Sequence, residues 1–182
     1  MSRKAELILL CEDEQHQVFM RRFFTKMGWL RRKIREIPLP HGSGSGEKHV
    51  RDRFPKELKA YRRRRNRVHC SLVVMIDGDR LGVEGRIRQL DDECREQGID
   101  PRTRDDMVVI CVPTWQIESW IAYLDGQHVD ENHRRYPKLL RPRDCQAHVN
   151  VLLEMCQGQR ESQNPVPDSL VQSCREFGRL RQ

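Results

Sequence analysis

The chain has 182 residues and a net charge of +7, and 34% of it is Asp, Glu, Lys or Arg. That length holds one well-packed α/β domain with at most a small appendage, and no apolar run approaches the 18 residues of a membrane span. The first residues are charged and lack a signal-peptide core. The seven cysteines (Cys11, Cys70, Cys94, Cys111, Cys145, Cys156, Cys174) form no CxxC pair. These features argue against structural zinc and point to reduced thiols in the cytoplasm.

In chain order, residues 6–11 form a short apolar run ending in Glu12-Asp13-Glu14, which reads as a buried strand. Residues 15–27 carry Val18, Phe19, Phe23 and Met27 at helical spacing, and Gly28 stops them. Residues 29–39 read as a weaker, more exposed strand. Residues 41–49, with three glycines two apart, read as a loop without the Walker pattern. Residues 50–67 are helical by composition, with a break expected at Pro55.

The run Leu72-Val73-Val74-Met75-Ile76 predicts a strand buried on both faces, as in a parallel sheet, and it enters Asp77-Gly78-Asp79-Arg80 directly. Residues 83–97 form a helix ended by Gly98, and residues 107–113 a further buried strand. A helix over 114–124 follows, with Thr114 as its expected N-cap. Residues 147–156 and 165–180 read as two last helices. The predicted architecture is α/β: a mainly parallel sheet of about four strands with flanking helices over 1–125, and a C-terminal helical extension over 126–182 packed on it.

Two features carry chemistry. Residues 51–67 hold nine Lys or Arg against Asp52 and Glu57, a stretch that matches the whole excess charge. Such a stripe is the footprint of a phosphate-backbone contact, and a solvated helix face is the plain alternative. The second feature is acidic. In a parallel sheet the strand ends open onto one edge, so Glu12, Asp77, Asp79 and Glu118 (one turn into the helix after the last strand) can meet there. Asp77 and Asp79, two residues apart in an extended segment, are expected to point the same way. Clustered carboxylates call for a cation, and an all-oxygen set favours Mg²⁺ or Mn²⁺ over zinc.

Ile8-Leu9-Leu10-Cys11-Glu12 followed by Asp77-Gly78-Asp79, in this strand–helix order, resembles the TOPRIM (topoisomerase–primase) domain. Ile117 to Leu124 is similar to the small RloB-like and OLD-type nucleases of bacterial and phage-defence systems. The resemblance covers roughly residues 5–125. It implies a TOPRIM-like fold and metal-dependent cleavage of nucleic-acid phosphodiesters, with DNA ahead of RNA as substrate. It also implies an ABC-type ATPase partner, and leaves the oligomeric state open, a homodimer included.

By resemblance and residue chemistry together, Glu12 is a metal ligand or general acid/base, Asp77 and Asp79 are the principal ligands, and Glu118 is a further ligand. Arg80, Lys48, Arg51, Arg62, Arg63, Arg64 and Arg65 would hold nucleic acid. The chain departs from the family at Asp13, where Gly is usual, and at His16, where a second acid is common. His16 is a candidate ligand. The same departures support an alternative, a TOPRIM-like module that binds nucleic acid or an ATPase without turnover. A receiver-type phosphoacceptor pocket is disfavoured, because no Lys follows the last strand at Pro113-Thr114.

Overall fold

The computed structural model describes residues 5–41, 45–133, 135–160 and 164–181; residues 42–44 of the predicted glycine-rich loop lie outside them, and its residues 46–49 are helical. The apolar runs become four parallel strands, β1 (Glu6–Cys11), β2 (Ile34–Glu36), β3 (Cys70–Met75) and β4 (Val108–Cys111), in the order β2-β1-β3-β4. Alternate residues of each run serve opposite faces. Leu7, Leu9, Val73, Met75 and Val109 join one core, while Ile8, Leu10, Leu72, Val74, Val108 and Ile110 join the other.

Helices α1 (Glu14–Lys26), α4 (Ile117–Leu124), α5 (Gln146–Cys156) and α6 (Asp168–Gly178) build the first core, and α2 (Gly46–Arg64) and α3 (Gly82–Glu96) the second. The chain therefore winds outward from β1 in both directions. The crossover β1→β2 uses one face, and β2→β3 and β3→β4 use the other. The adjacent strands β1 and β3 bound the point where the winding reverses. In such sheets ligands bind just outside the carboxyl ends at that point.

Three details differ from the sequence expectation. The strand in 29–39 shrinks to Ile34–Glu36, preceded by a 3₁₀ turn. Helix α2 runs through Pro55 without ending, because Val50, Phe54, Leu58 and Tyr61 anchor both halves on the sheet and tertiary packing overrides local propensity. The third is covalent. Cys156 and Cys174 are joined by a disulfide, which corrects the expectation that every thiol is reduced; the other five cysteines are free and buried. The pair is separated by 18 residues, and only the docking of α6 beside α5 brings the sulfurs together.

Residues beyond 125 complete the first core. Phe177 of α6 lies 4.5 Å from Phe23 and 5.7 Å from Phe24, centroid to centroid. Along β4, Arg102 donates to Val108 O at 2.9 Å, Glu176 Oε2 accepts from Ile110 N–H at 3.1 Å, and the two side chains pair with each other. Among the described residues no helix is long and apolar enough to cross a membrane.

Candidate functional site

The mouth between β1 and β3 is built from three strand ends. Glu12 follows β1, and its Oε2 accepts the Asp77 N–H at 3.0 Å, tying the first strand end to the second. Asp77 follows β3 and is 7% exposed. Its Oδ1 accepts the Ile117 N–H at 3.1 Å, which holds the start of α4 and so brings in the third strand end. The expected N-cap, Thr114, donates instead to Glu131 at 2.7 Å. Glu118, one residue further into α4, is 8% exposed, with the Lys138 ammonium 3.7 Å from Oε1.

His16 is fully buried, and its Nε2 stands 3.1 Å from Asp77 Oδ1. It reaches there because Asp13 caps α1, accepting the His16 N–H at 2.8 Å and fixing the first helical turn. The Asp at position 13 is thus a capping residue. Burial opposes a charge on His16, but the Asp77 carboxylate and its hydrogen bond, with Asp13 and Glu12 adding, raise its pKa to about 9. The imidazolium is therefore the cation held against Asp77. Glu12 is pushed up to about 7, first by burial and then by the charge of Asp77. Glu118 is raised as well, by burial, with the charge of Asp77 adding.

Asp79 does not share the direction of Asp77. The backbone leaves the extended conformation at Gly78 (φ −75°, ψ −31°) and Asp79 adopts φ +48°, so the i, i+2 alternation expected for a strand is lost. Its Oδ2 lies 3.2 Å from Arg86 Nη2. Gly78 serves a close approach between segments: a Cβ there would sit 2.3 Å from Thr114 O and 2.8 Å from Pro113 O.

Arg86, 2% exposed, is the residue that sequence reasoning missed. Its Nε donates to Asp77 O at 2.8 Å, and its Nη1 donates to Gln89 at 2.6 Å and pairs with Glu47 of α2. The signal was present, since Arg86, Leu90 and Cys94 share the buried stripe of α3 at spacing four.

The start of α2 closes the far wall. A Cβ at Gly46 would fall 2.2 Å from Glu12 O. The glycine thus lets the helix start on the backbone of Glu12.

The basic residues divide by position. Lys48 and Arg51 lie in the first turns of α2, near Glu12, but Lys48 pairs with Asp52, and Arg51 with Glu47 at 3.1 Å and Glu93 at 3.4 Å. Arg80 is exposed beside the mouth. The run at 62–65 lies at the opposite, amino edge of the sheet. Arg64 pairs with Glu6 at the start of β1, and Arg62 and Arg65 hold Asp106 at 2.7 and 2.6 Å. Arg63 faces solvent. The run and the carboxylates are thus at opposite ends of the sheet.

The Asp106 cluster gives a pH-dependent contribution to stability. Burial opposes the charge of this 1%-exposed side chain, but the bond from Arg62, the Thr103 N–H and the charges of Arg62 and Arg65 outweigh it and hold its pKa below 3.8. A depressed carboxylate stabilises above its unfolded pKa and loses that contribution as pH falls through the folded value. Asp106→Asn is expected to cost about 2 kcal/mol at pH 7, and its deficit relative to wild type should shrink below about pH 4. Urea unfolding at pH 7 and pH 3 checks this; an unchanged deficit would refute it.

Among the described residues no group of three or more His, Cys, Asp or Glu stands at metal-holding spacing. The donor chemistry nevertheless suits a hard divalent cation. Glu12, Asp77 and Glu118 supply carboxylate oxygens, and the raised pKa values of Glu12 and Glu118 mark carboxyls in need of positive charge. Comparison of the chain with family models, with curated proteins and with solved structures returns no match in any of the three.

Proposed function

We propose that this chain is a TOPRIM-like nuclease, cleaving nucleic-acid phosphodiester bonds with Mg²⁺ or Mn²⁺. The observation that carries this reading is the joining of three strand ends at the reversal point between β1 and β3: Glu12 accepts the Asp77 N–H, and Asp77 holds the start of α4 at Ile117, the residue before Glu118. Those three residues would hold the metal, which when bound supplies Lewis-acid stabilisation of charge developing on the phosphate. The chain's own residues supply the frame. Arg86 fixes the Asp77 carbonyl and the Asp79 carboxylate from behind, His16 orients Asp77, and Arg80 offers an exposed cation at the rim for phosphate. A place in a bacterial or phage-defence system beside an ABC-type ATPase belongs to the same proposal and rests on the family resemblance alone.

One observation favours a second reading, a module that binds nucleic acid without turnover. His16 already supplies positive charge to Asp77 at 3.1 Å, so the carboxylate is compensated without a metal. Cleavage assays decide between the two, using plasmid, single-stranded DNA and RNA with Mg²⁺ or Mn²⁺. Glu12→Gln keeps an acceptor for the Asp77 N–H, and Glu118→Gln keeps an acceptor for the backbone N–H bonded by Glu118 while weakening the contact with exposed Lys138, so both variants retain the frame. Each is expected to lower metal-dependent cleavage about a hundredfold or more. Activity equal to wild type in both variants, or no metal-dependent cleavage by wild type, sinks the nuclease reading.

A further inference from the structure

Helix α2 spans the sheet from one edge to the other. Its first residue, Gly46, presses on Glu12 at the carboxyl edge, and its last, Arg64, pairs with Glu6 at the amino edge. With 19 residues it is about 28 Å long. Its basic side chains are of two kinds. Lys48, Arg51, Arg53, Arg62 and Arg64 are paired with acids, and so is Arg65 just beyond the helix. Lys56, Lys59 and Arg63 are exposed, and none is paired with an acid among the described residues. At 3.6 residues per turn these three fall within about 60° of arc on the outward side. Arg67, in the turn after the helix, is also exposed. The one acid between Arg53 and Arg67, Glu57, is turned inward at 5% exposure, where it is held by Arg53 at 2.9 Å and Arg35 at 3.5 Å.

We infer that this outward face of α2 is the track that holds a nucleic-acid phosphate backbone, with Lys56, Lys59 and Arg63 as its contacts, and that the track leads to the crevice at Glu12. The inference deepens the proposed nuclease reading and rests on it for the direction of the track. Charge complementarity identifies the occupant: a row of unpaired cations on a rigid helix suits a repeating anion, and the shared chemistry of DNA and RNA is the phosphodiester chain. The arrangement also separates tasks along one element. The basic face of α2 attracts the polyanion, and its amino end abuts the acidic mouth where the backbone would be cut.

The test measures binding in EDTA, so that cleavage plays no part, by fluorescence anisotropy with labelled duplex DNA, single-stranded DNA and duplex RNA over a salt series. The track variant Lys56→Gln/Lys59→Gln/Arg63→Gln is compared with Arg104→Gln/Arg143→Gln/Arg175→Gln, which removes the same charge from exposed positions on other elements. The track variant is expected to weaken binding at least about tenfold at 50 mM salt. Its log–log salt slope for duplex DNA should flatten by about 2.7, at 0.9 per phosphate contact. The control is expected to stay within about threefold of wild type. Equal losses in the two variants would show a net-charge effect and overturn the track, as would wild-type binding unchanged by the track variant or absent for every probe. The three probes show which nucleic acid the track prefers. Track-dependent binding without metal-dependent cleavage would overturn the nuclease reading alone, whereas cleavage with the track variant binding normally would overturn the track alone.

Discussion

Asp77→Ala is expected to destabilise the protein by about 3–5 kcal/mol, the range for breaking a buried ion pair by removing one partner. The carboxylate serves two groups that have no other acceptor in reach among the described residues. His16 Nε2 is inside a fully buried side chain, and the Ile117 N–H begins α4. Loss of Asp77 strands both. The variant Asp77→Asn separates these duties, since its amide oxygen can still accept from Ile117 but offers His16 no negative charge; its loss should fall between zero and that of alanine. The double variant Asp77→Ala/His16→Leu removes both members of the pair and should be less destabilised than the sum of the two single variants. Urea unfolding of wild type, Asp77→Ala, Asp77→Asn, His16→Leu and the double variant gives the comparison. A loss under about 1 kcal/mol for Asp77→Ala would show that the pair contributes little to the fold.

The second large effect is expected at Gly78, where one methyl group has nowhere to go. The Cβ of an alanine would lie 2.3 Å from Thr114 O and 2.8 Å from Pro113 O. Both are backbone atoms, and the Gly78 N–H donates to Pro113 O at 2.8 Å while the Asp79 N–H donates to Trp115 O at 3.1 Å. The two segments cannot separate without breaking those bonds and shifting the start of α4. Gly78→Ala is expected to cost about 3 kcal/mol or more, at the upper end of overpacking, and to abolish any activity that needs Asp77 and Glu118 together. Gly178→Ala is the control: a Cβ there meets nothing within 4 Å, and the residue is helical. It should raise stability by about 0.5–1 kcal/mol. A Gly78→Ala protein as stable as wild type would refute the close approach.

The frame of the sheet was readable because unbroken apolar runs are a local signal. Residues 6–11, 72–76 and 107–113 announce β1, β3 and β4, and a parallel order follows from the helices between them. β2 was overestimated because its run buries only Trp29, Ile34 and Ile37, and Trp29 lies before the 3₁₀ turn that precedes the strand. The meeting of Glu12 with Asp77 followed from the sheet rule. The partners of the charged residues did not. His16 lies 61 positions from Asp77, and Arg62 lies 44 from Asp106. No periodicity reports such contacts. Of the nine basic residues at 51–67, Arg62, Arg64 and Arg65 are thus taken by acids at the amino edge, and Arg51 and Arg53 by acids elsewhere. The turn at Asp79 was hidden for another reason: its φ of +48° is set by the bond to Trp115 O and by Arg86, both tertiary.

The pairing of Arg102 and Glu176 along β4 has a consequence for how molecules of this protein meet. A parallel strand added at β4 would have to bond Val108 O and Ile110 N–H, and both are already taken by these side chains. The opposite margin, β2, offers only three residues. Strand addition between copies, the usual route from an open sheet to a polymer, is therefore blocked at one margin and short of backbone at the other. Any self-association is left to the helical faces. The guard at β4 is carried by the last helix of the chain, which Phe177 fastens to the core and the Cys156–Cys174 bond to α5, so protection against aggregation is complete only once the carboxyl-terminal residues have docked.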